Sequence, residues 1–274
     1  MPESLKSWIR CWQNMQNNFQ SPGDIAFFLF SMPVYFYGIV LAIAVFAGFV
    51  TIYYLFKNLY INEDYSKILD NFPYIIIAGI FGARLYYCMV NFHYYINHPF
   101  EILNVRQGGL SIHGMIIAGI IVLYIFAKKY KLKFLNLTDV FLCACSISQS
   151  IGRWGNFFNS EAFGYPTDLP WKLYISVSHR PVHYINFEYF HPTFLYESIL
   201  DLVMFVVLFL ILRFKYKSGF ATAVYLIMYS LIRIFVEYFR IDSALYIANI
   251  PIAQIISVAM FFIGVGLFCY LKKQ

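Results

Sequence analysis

Seven long apolar runs constrain this chain more than any other feature of its sequence. Most are near the length of about 20 residues that crosses the hydrocarbon of a bilayer as a helix. Composition agrees, because 61% of the residues are hydrophobic and only 12% are charged, whereas soluble domains carry roughly 25% charged residues. We therefore predict an all-α polytopic membrane protein, with spans at about 33–56, 72–90, 111–127, 137–152, 193–212, 219–236 and 252–271. The fourth run is short and contains serine and glutamine, so it is the least secure.

The positions of the basic residues predict how the spans are oriented. Lysine and arginine favour the cytoplasmic ends of membrane helices. Connections that follow odd-numbered spans, together with the C-terminus, hold eleven of the twenty basic residues: Lys57, Lys67, Lys128, Lys129, Lys131, Lys133, Arg213, Lys215, Lys217, Lys272 and Lys273. We expect the N-terminus outside and the C-terminus in the cytoplasm. The net charge of +6 then reflects membrane anchors, and no nucleic-acid partner is needed to explain it.

Residues 1–31 are expected to form an extracytoplasmic segment ahead of a membrane domain that covers residues 32–274. Trp8, Trp12, Met15 and Phe19 recur at spacings of three and four, which places them on one face of a helix. Such a helix would lie in the outer membrane interface. A disordered tail is the alternative.

Residues 153–192 form the longest stretch outside the predicted spans. Four prolines divide it, with aromatic and β-branched residues between them. This pattern predicts a small extracytoplasmic cap of short strands and turns. The cap is too short to hold an independent core.

The cysteines and histidines do not suggest a metal site or a disulfide framework. The five cysteines are scattered, and four of them lie in apolar runs. We interpret them as small buried hydrophobic residues. His179 and His183 are four apart, but Pro181 between them disfavours a helical metal pair.

A polar segment follows the fourth span. Residues 152–164 read Gly-Arg-Trp-Gly-Asn-Phe-Phe-Asn-Ser-Glu-Ala-Phe-Gly. If the helix continues, Arg153 and Asn156 share one of its faces. A charge at membrane depth costs about 2.5–3.5 kcal/mol on insertion scales, so it indicates pairing or function. The alternative is a purely structural role, in which the segment is a turn that ends the helix and the Arg153 side chain extends outward to water.

A second polar group lies near the end of the sixth span. Spacings of four and three predict that Arg233, Glu237 and Arg240 lie on one helical face. The glutamate offsets one arginine, and the remaining positive charge suits a phosphate, which arginine binds with two N–H groups. An internal salt-bridge stack that only fixes helix packing remains the alternative.

A third polar group opens the third span. His113 lies between glycines, in the sequence Gly108-Gly109-Leu110-Ser111-Ile112-His113-Gly114. An imidazole with open space around it can exchange protons near neutral pH. From the residues alone, a histidine that only packs in the core or interface is the stronger interpretation.

Together these motifs resemble the prolipoprotein diacylglyceryl transferase family. Residues 152–164 match its signature, G-R-x-G-N-F-x-N-x-E-x-x-G, at every fixed position. The R-x-x-x-E-x-x-R run resembles the family's late-helix motif, and the His113 segment resembles its H-G-G element, with Met115 in place of the second glycine. Further similarities, running in order from about residue 33 to 270, are Tyr37-Gly38, Gly82-Ala83-Arg84-Leu85 and His191-Pro192-Thr193-Phe194-Leu195-Tyr196-Glu197.

The resemblance implies an enzyme of the bacterial cytoplasmic membrane. It would move the sn-1,2-diacylglyceryl group of phosphatidylglycerol to the lipobox cysteine of a prolipoprotein. We expect a monomer that works in the lipid bilayer without metal or cofactor. For this reaction we expect the catalytic residues to be His113, Arg153 and Arg233, because a base raises the thiolate fraction and fixed positive charges stabilise the leaving phosphate. We expect the substrate-binding residues to be Arg153, Asn156, Glu161, Gly164, Tyr37, Glu237 and Arg240.

Two questions stay open at the level of sequence. The thiol could lose its proton to His113 or in the field of the arginines. The rival functions are a lipid-binding or anion-transporting membrane protein and a phosphatidyl-group transferase. A transporter would often show paired repeats, and the phosphatidyl-group enzyme an aspartate-rich metal site, whereas Asp139 stands alone near a helix end.

Overall fold

The structure, a computed structural model, describes residues 19–59, 66–104, 108–214, 216–241, 246–247 and 250–273. In this part of the chain, seven helices are long and apolar enough to cross a membrane. The prediction of an all-α polytopic protein with seven spans is confirmed. In chain order the helices are α1 (Phe36–Leu59), α2 (Ser66–Asp70), α3 (Phe72–Val90), α4 (Phe92–Tyr95), α5 (Ile112–Lys129), α6 (Phe134–Phe158), α7 (Thr193–Arg213), α8 (Phe220–Phe239) and α9 (Ile252–Lys273), of which α2 and α4 are short.

The first span begins three residues later than predicted. Residues 32–35 belong to strand β2 (Met32–Tyr35), which pairs antiparallel with β1 (Ile25–Leu29). Phe30 and Ser31 form the turn between the strands with positive φ angles of 48° and 67°. The predicted amphipathic helix around Trp8 and Trp12 lies outside the described residues.

The fourth span is longer than the sequence indicates. Helix α6 runs to Phe158, so the first residues of the signature segment are helical. Polar residues had made this run the weakest prediction. Two of them form hydrogen bonds with helix backbone instead of meeting lipid: Ser146 Oγ donates to the Leu142 carbonyl at 2.9 Å, and Ser148 Oγ to the Ala44 carbonyl on α1 at 2.8 Å.

The chain divides into two compact units, of which residues 52–140 form one. Within it α3 packs against α5. Arg84 on α3 is only 7% exposed, and its guanidinium donates to the backbone carbonyls of Glu101, Ile102, Asn104, Gly108 and Gly109. Because a guanidinium has five N–H donors, this set uses all of them. The arginine thus holds together the connection between α3 and α5.

The second unit contains the remaining residues. Its helix α8 packs against both α7 and α9. Buried residues of α7 recur at spacings of three and four and form one stripe along the helix: Phe194, Glu197, Ser198, Asp201, Met204, Leu208 and Leu212. The stripe contains two carboxylates, Glu197 and Asp201, although the rest of the helix is strongly apolar. Buried carboxylates are unusual because a buried charge needs a partner.

The cap begins after Phe158 and contains short strands and turns, as predicted. Strand β3 (Leu173–Tyr174) pairs antiparallel with β4 (Tyr189–Phe190), and single 3₁₀ turns cover Val177–His179 and Val182–Tyr184. Another pair, β5 (Tyr246–Ile247) and β6 (Ile250–Pro251), precedes α9. The buried residues of the cap cluster with Phe194 of α7, so its core includes a membrane helix: Ala162, Phe163, Leu173, Ile175, Phe190 and Phe194.

Candidate active site

A single carboxylate joins the two arginines that the sequence motifs single out. Glu197 on α7 is 1% exposed. Its Oε1 accepts a hydrogen bond from Arg153 Nη2 of α6 at 2.6 Å and lies 3.5 Å from Arg233 Nη1 of α8. On the other side of Arg233, Nη2 lies 2.8 Å from Glu237 Oε2. Three membrane helices therefore meet in one chain of ion pairs.

This cluster is balanced in charge, but Arg153 retains hydrogen-bonding capacity. Two arginines face two glutamates, and the glutamates are the more buried partners. Among the residues that the structure describes, Arg153 donates to Glu197 alone, and its side chain is 23% exposed. Since a guanidinium has five N–H groups, donors remain for a ligand. A phosphate oxygen is the group that such donors bind best.

Sequence reasoning did not commit to Glu197 and missed Asp201. Glu197 ends the motif that begins at His191, but no role in the site is predicted for it from the sequence. Asp201 lies four residues later on the buried stripe of α7 and is fully buried. Its signal in the sequence is a second acid one helical turn after the first, inside an apolar run.

The helical part of the signature segment lies against α1. Arg153 and Asn156 both belong to α6, so the predicted shared face is confirmed. The ring of Tyr37 packs on Gly155, where a Cβ atom would come within 2.6 Å of the ring. Tyr37 is therefore in contact with the signature helix, although 42% of this residue is exposed.

The signature continues as a turn that reaches α7. The Glu161 amide donates to the Asn156 carbonyl at 2.9 Å, and Ser160 and Ala162 adopt positive φ angles of 55° and 53°. The Ala162 carbonyl then accepts hydrogen bonds from the Thr193 hydroxyl at 2.6 Å and from the Phe194 amide at 3.0 Å. This contact fixes the start of the helix that carries Glu197.

Glu161 itself is exposed, and the structure does not place it on an arginine. Its Oε1 lies 3.4 Å from the side-chain nitrogen of Asn159. Glu237, the other glutamate predicted to bind substrate, is in contact with Arg233. A role for Glu161 in positioning a head group remains a prediction.

Gly164 ends the signature beside the end of α8. The Tyr165 amide donates to the Phe239 carbonyl at 3.0 Å, and Gly164 forms an antiparallel bridge with Arg240. A Cβ atom at Gly164 would lie 2.5 Å from the Phe239 carbonyl oxygen, so a side chain does not fit. The prediction that Arg240 shares a helical face with Arg233 and Glu237 is wrong. Helix α8 ends at Phe239 and Arg240 is extended (φ −80°, ψ 143°), because its backbone pairs with the cap.

Tyr196 connects the cap to α7 one residue before Glu197. Trp171 Nε1 donates to the Tyr196 hydroxyl at 2.8 Å, and that hydroxyl lies 3.1 Å from His191 Nδ1. Burial lowers the pKa of His191 below its ordinary value. A neutral His191 can accept a hydrogen bond at Nδ1 from the Tyr196 hydroxyl, which itself accepts one from Trp171.

His113 belongs to the unit formed by residues 52–140. It is the second residue of α5 and is exposed, with its ring centroid 5.9 Å from that of Tyr86. Met115, which replaces the family's second glycine, lies next to Gly79 of α3. Because the ring is exposed, a substrate group can reach it, so the geometry within this unit is compatible with the predicted role of a base.

The fold and the cluster around Glu197 define a class: a multi-pass membrane protein with a buried arginine–carboxylate site suited to a phosphate group. The sequence profile of the family described as prolipoprotein diacylglyceryl transferase matches residues 24–270. The chain belongs to this family. It is a multi-pass bacterial membrane protein.

Individual relatives agree with the family assignment. The chain is 42% identical over 252 residues to a protein of Synechocystis sp., covering 90% of this chain and 88% of the relative. It is 40% identical over 277 residues to one of Parasynechococcus marenigrum (93% and 96%), and 42% identical over 234 residues to one of Thermotoga maritima (83% and 78%). Each of the three is named phosphatidylglycerol–prolipoprotein diacylglyceryl transferase.

Proposed function

We propose that this protein transfers the sn-1,2-diacylglyceryl group of phosphatidylglycerol to the lipobox cysteine of prolipoproteins. The thiol sulfur forms a thioether with the glyceryl carbon, and the bond from that carbon to the phosphate oxygen breaks. The leaving group is glycerol phosphate, which keeps the electron pair. The reaction is the first step of bacterial lipoprotein maturation. We further propose that the protein acts as a monomer.

The observation that carries this proposal is the pair of arginines held by Glu197. Negative charge grows on the phosphate as the carbon–oxygen bond breaks, and fixed positive groups in a site of low dielectric stabilise such charge strongly. Arg153 has donors left for the phosphate, and Glu197 holds both guanidinium groups in place. Asn156, Glu161, Gly164, Tyr37, Glu237 and Arg240 are proposed to shape the substrate site around them.

The nucleophile comes from the substrate, so a serine or cysteine of the enzyme is not required. A free thiol with a pKa near 8.5 is only a few per cent thiolate at neutral pH. We assign the removal of its proton to His113, which is exposed at the start of α5. In the alternative, the arginine field alone favours the thiolate, and replacing His113 would leave the pH–rate profile unchanged.

The distribution of basic residues supports a definite orientation. With the N-terminus outside, α6 and α8 end, and α7 begins, on the outer side of the cytoplasmic membrane. Arg153, Glu197 and Arg233 all lie in those helix ends. The phosphate site would then face the leaflet in which a secreted prolipoprotein presents its cysteine.

A reconstituted transfer assay tests the proposal. Purified protein in detergent is mixed with phosphatidylglycerol and a lipobox peptide, and the mass of the peptide is followed. We expect a diacylglyceryl mass gain with the wild-type protein, none with Arg153→Ala or Arg233→Ala, and a normal gain with Arg213→Ala. Arg213 is a matched control because it is an exposed arginine at the opposite end of α7. A folded wild-type protein that binds phosphatidylglycerol without modifying the peptide would contradict the proposal and favour a lipid-binding or transport role.

A further inference from the structure

Asp201 is a buried ionisable residue near the middle of α7. It lies on α7, has no exposed surface, and neither of its carboxylate oxygens has a hydrogen-bond partner among the described residues. Buried polar groups almost always have a partner, and ionisable groups inside membrane helices generally serve a function. The reaction as assigned so far makes no use of this carboxyl group.

The surroundings of Asp201 are the arginine cluster itself. Glu197 precedes it by one helical turn, on the same buried stripe. Charged and titratable groups from three helices interact electrostatically with it: Arg153 from α6, Glu197 from α7, and Arg233, Tyr225 and Tyr229 from α8. The tyrosines are neutral near physiological pH, so the charges that matter are those of the arginines and the acids.

Counting those charges gives Asp201 a specific consequence. Arg153 and Arg233 are balanced by Glu197 and Glu237, which leaves a formal charge of zero. An ionised Asp201 makes the cluster negative by one unit, and a protonated Asp201 leaves it neutral. In a medium of low dielectric, one surplus negative charge opposes the binding of a phosphate. Glu197 and Glu237 each face an arginine, whereas no described residue donates a hydrogen bond to Asp201, so we assign the proton change to Asp201.

We propose that Asp201 sets the net charge of this cluster and holds a proton while the arginines bind an anionic lipid phosphate. The inference rests on the proposed function, because it takes phosphatidylglycerol as the ligand. Asp201 is a positioning residue in this scheme: it acts through the arginines and does not touch the reacting atoms. Binding of the lipid phosphate is thereby linked to the uptake of one proton.

The linkage has a definite sign. Raising the pH removes the proton from Asp201, makes the cluster negative and weakens lipid binding. A phosphodiester keeps its single charge over this range, so the lipid itself does not titrate. One linked proton changes the dissociation constant by at most about tenfold per pH unit. Asp201→Asn keeps the shape of the protonated acid and cannot ionise.

The test measures equilibrium binding of phosphatidylglycerol to the purified full-length protein from mildly acidic to mildly alkaline pH. We expect the affinity of the wild-type protein to fall as pH rises, and that of Asp201→Asn to stay tight and independent of pH. Asp201→Ser should lose the pH dependence in the same way, which keeps the test valid if one variant folds poorly. Asp139→Asn is the control, because Asp139 is also buried but lies at the other end of α6. It should keep the wild-type slope.

Two further arms separate the inference from the proposed function. Diacylglycerol, which lacks the phosphate, should bind without pH dependence in every variant. Binding does not require transfer, so a pH-linked affinity that Asp201→Asn abolishes upholds the inference even if the lipobox peptide is never modified. An unchanged pH slope in both Asp201 variants overturns the inference, whether or not the peptide is modified. Loss of turnover in Asp201→Asn with unaltered lipid affinity and slope also overturns it.

Discussion

Arg153 and Glu197 form a 2.6 Å ion pair in which the two partners are buried to different degrees. The carboxylate is enclosed at 1% exposure, whereas the guanidinium is 23% exposed. Glu197 therefore has a structural role, because it joins α6 to α8. Arg153 has N–H groups that remain accessible to a ligand. Removing either partner should impair the site, but removing Glu197 should lower stability more than removing Arg153 does.

Replacing Glu197 is expected to destabilise the protein as well as inactivate it. Glu197→Ala leaves two arginines without the carboxylate they share, and breaking a buried pair costs about 3–5 kcal/mol. Glu197→Gln keeps the shape but loses the charge, so it should lower the melting temperature less. Arg153→Ala should abolish transfer with a smaller loss of stability, since its partner Glu197 still faces Arg233. Thermal unfolding in detergent beside the transfer assay checks this order, and equal stability loss in the Glu197→Ala and Arg153→Ala variants would contradict it.

The sequence predicted the spans well because the thickness of a bilayer fixes the length of an apolar run. It placed Arg153 and Asn156 on one helical face because their spacing within α6 is local information. It could not predict that Glu197 reaches both α6 and α8, since that depends on how three helices pack. It failed at Arg240 for the same reason: the pairing of Gly164 with Arg240, far apart in sequence, ends the helix there.

Two glycines of α6 should respond oppositely to alanine. A Cβ atom at Gly155 would lie within 2.6 Å of the Tyr37 ring, whereas one at Gly152 would meet nothing within 4 Å. Gly155→Ala must push Tyr37 away and should lower the melting temperature. Gly152→Ala should keep it or raise it, because alanine is better than glycine inside a helix by roughly 0.5–1 kcal/mol. Thermal unfolding of the two variants side by side checks the contrast, and equal melting temperatures would refute the contact between Gly155 and Tyr37.

Arg84 is expected to have a structural role in the connection between α3 and α5. Its guanidinium makes five hydrogen bonds to backbone carbonyls, and the rings of Tyr87 and Tyr95 lie within 5.9 and 5.2 Å of it. Lysine has three donors on one nitrogen and cannot reproduce that fork. Arg84→Lys should therefore speed amide hydrogen exchange in residues 101–104 and 108–110. Unchanged protection there would show that the arginine does not hold this connection.

His113→Gln is expected to slow transfer by about 10²–10⁴-fold if the imidazole is the general base. Glutamine keeps a hydrogen-bonding side chain on the exposed first turn of α5 but cannot take up a proton near neutral pH. The variant should lose the part of the pH–rate profile that the imidazole contributes, while keeping its affinity for phosphatidylglycerol. Lipid binding is expected to weaken as pH rises because of Asp201, independently of His113. Turnover is therefore measured at saturating lipid, where a change in lipid affinity does not affect the rate. A variant with the wild-type pH–rate profile at saturation would remove His113 as the base and leave thiol activation to the field of Arg153 and Arg233.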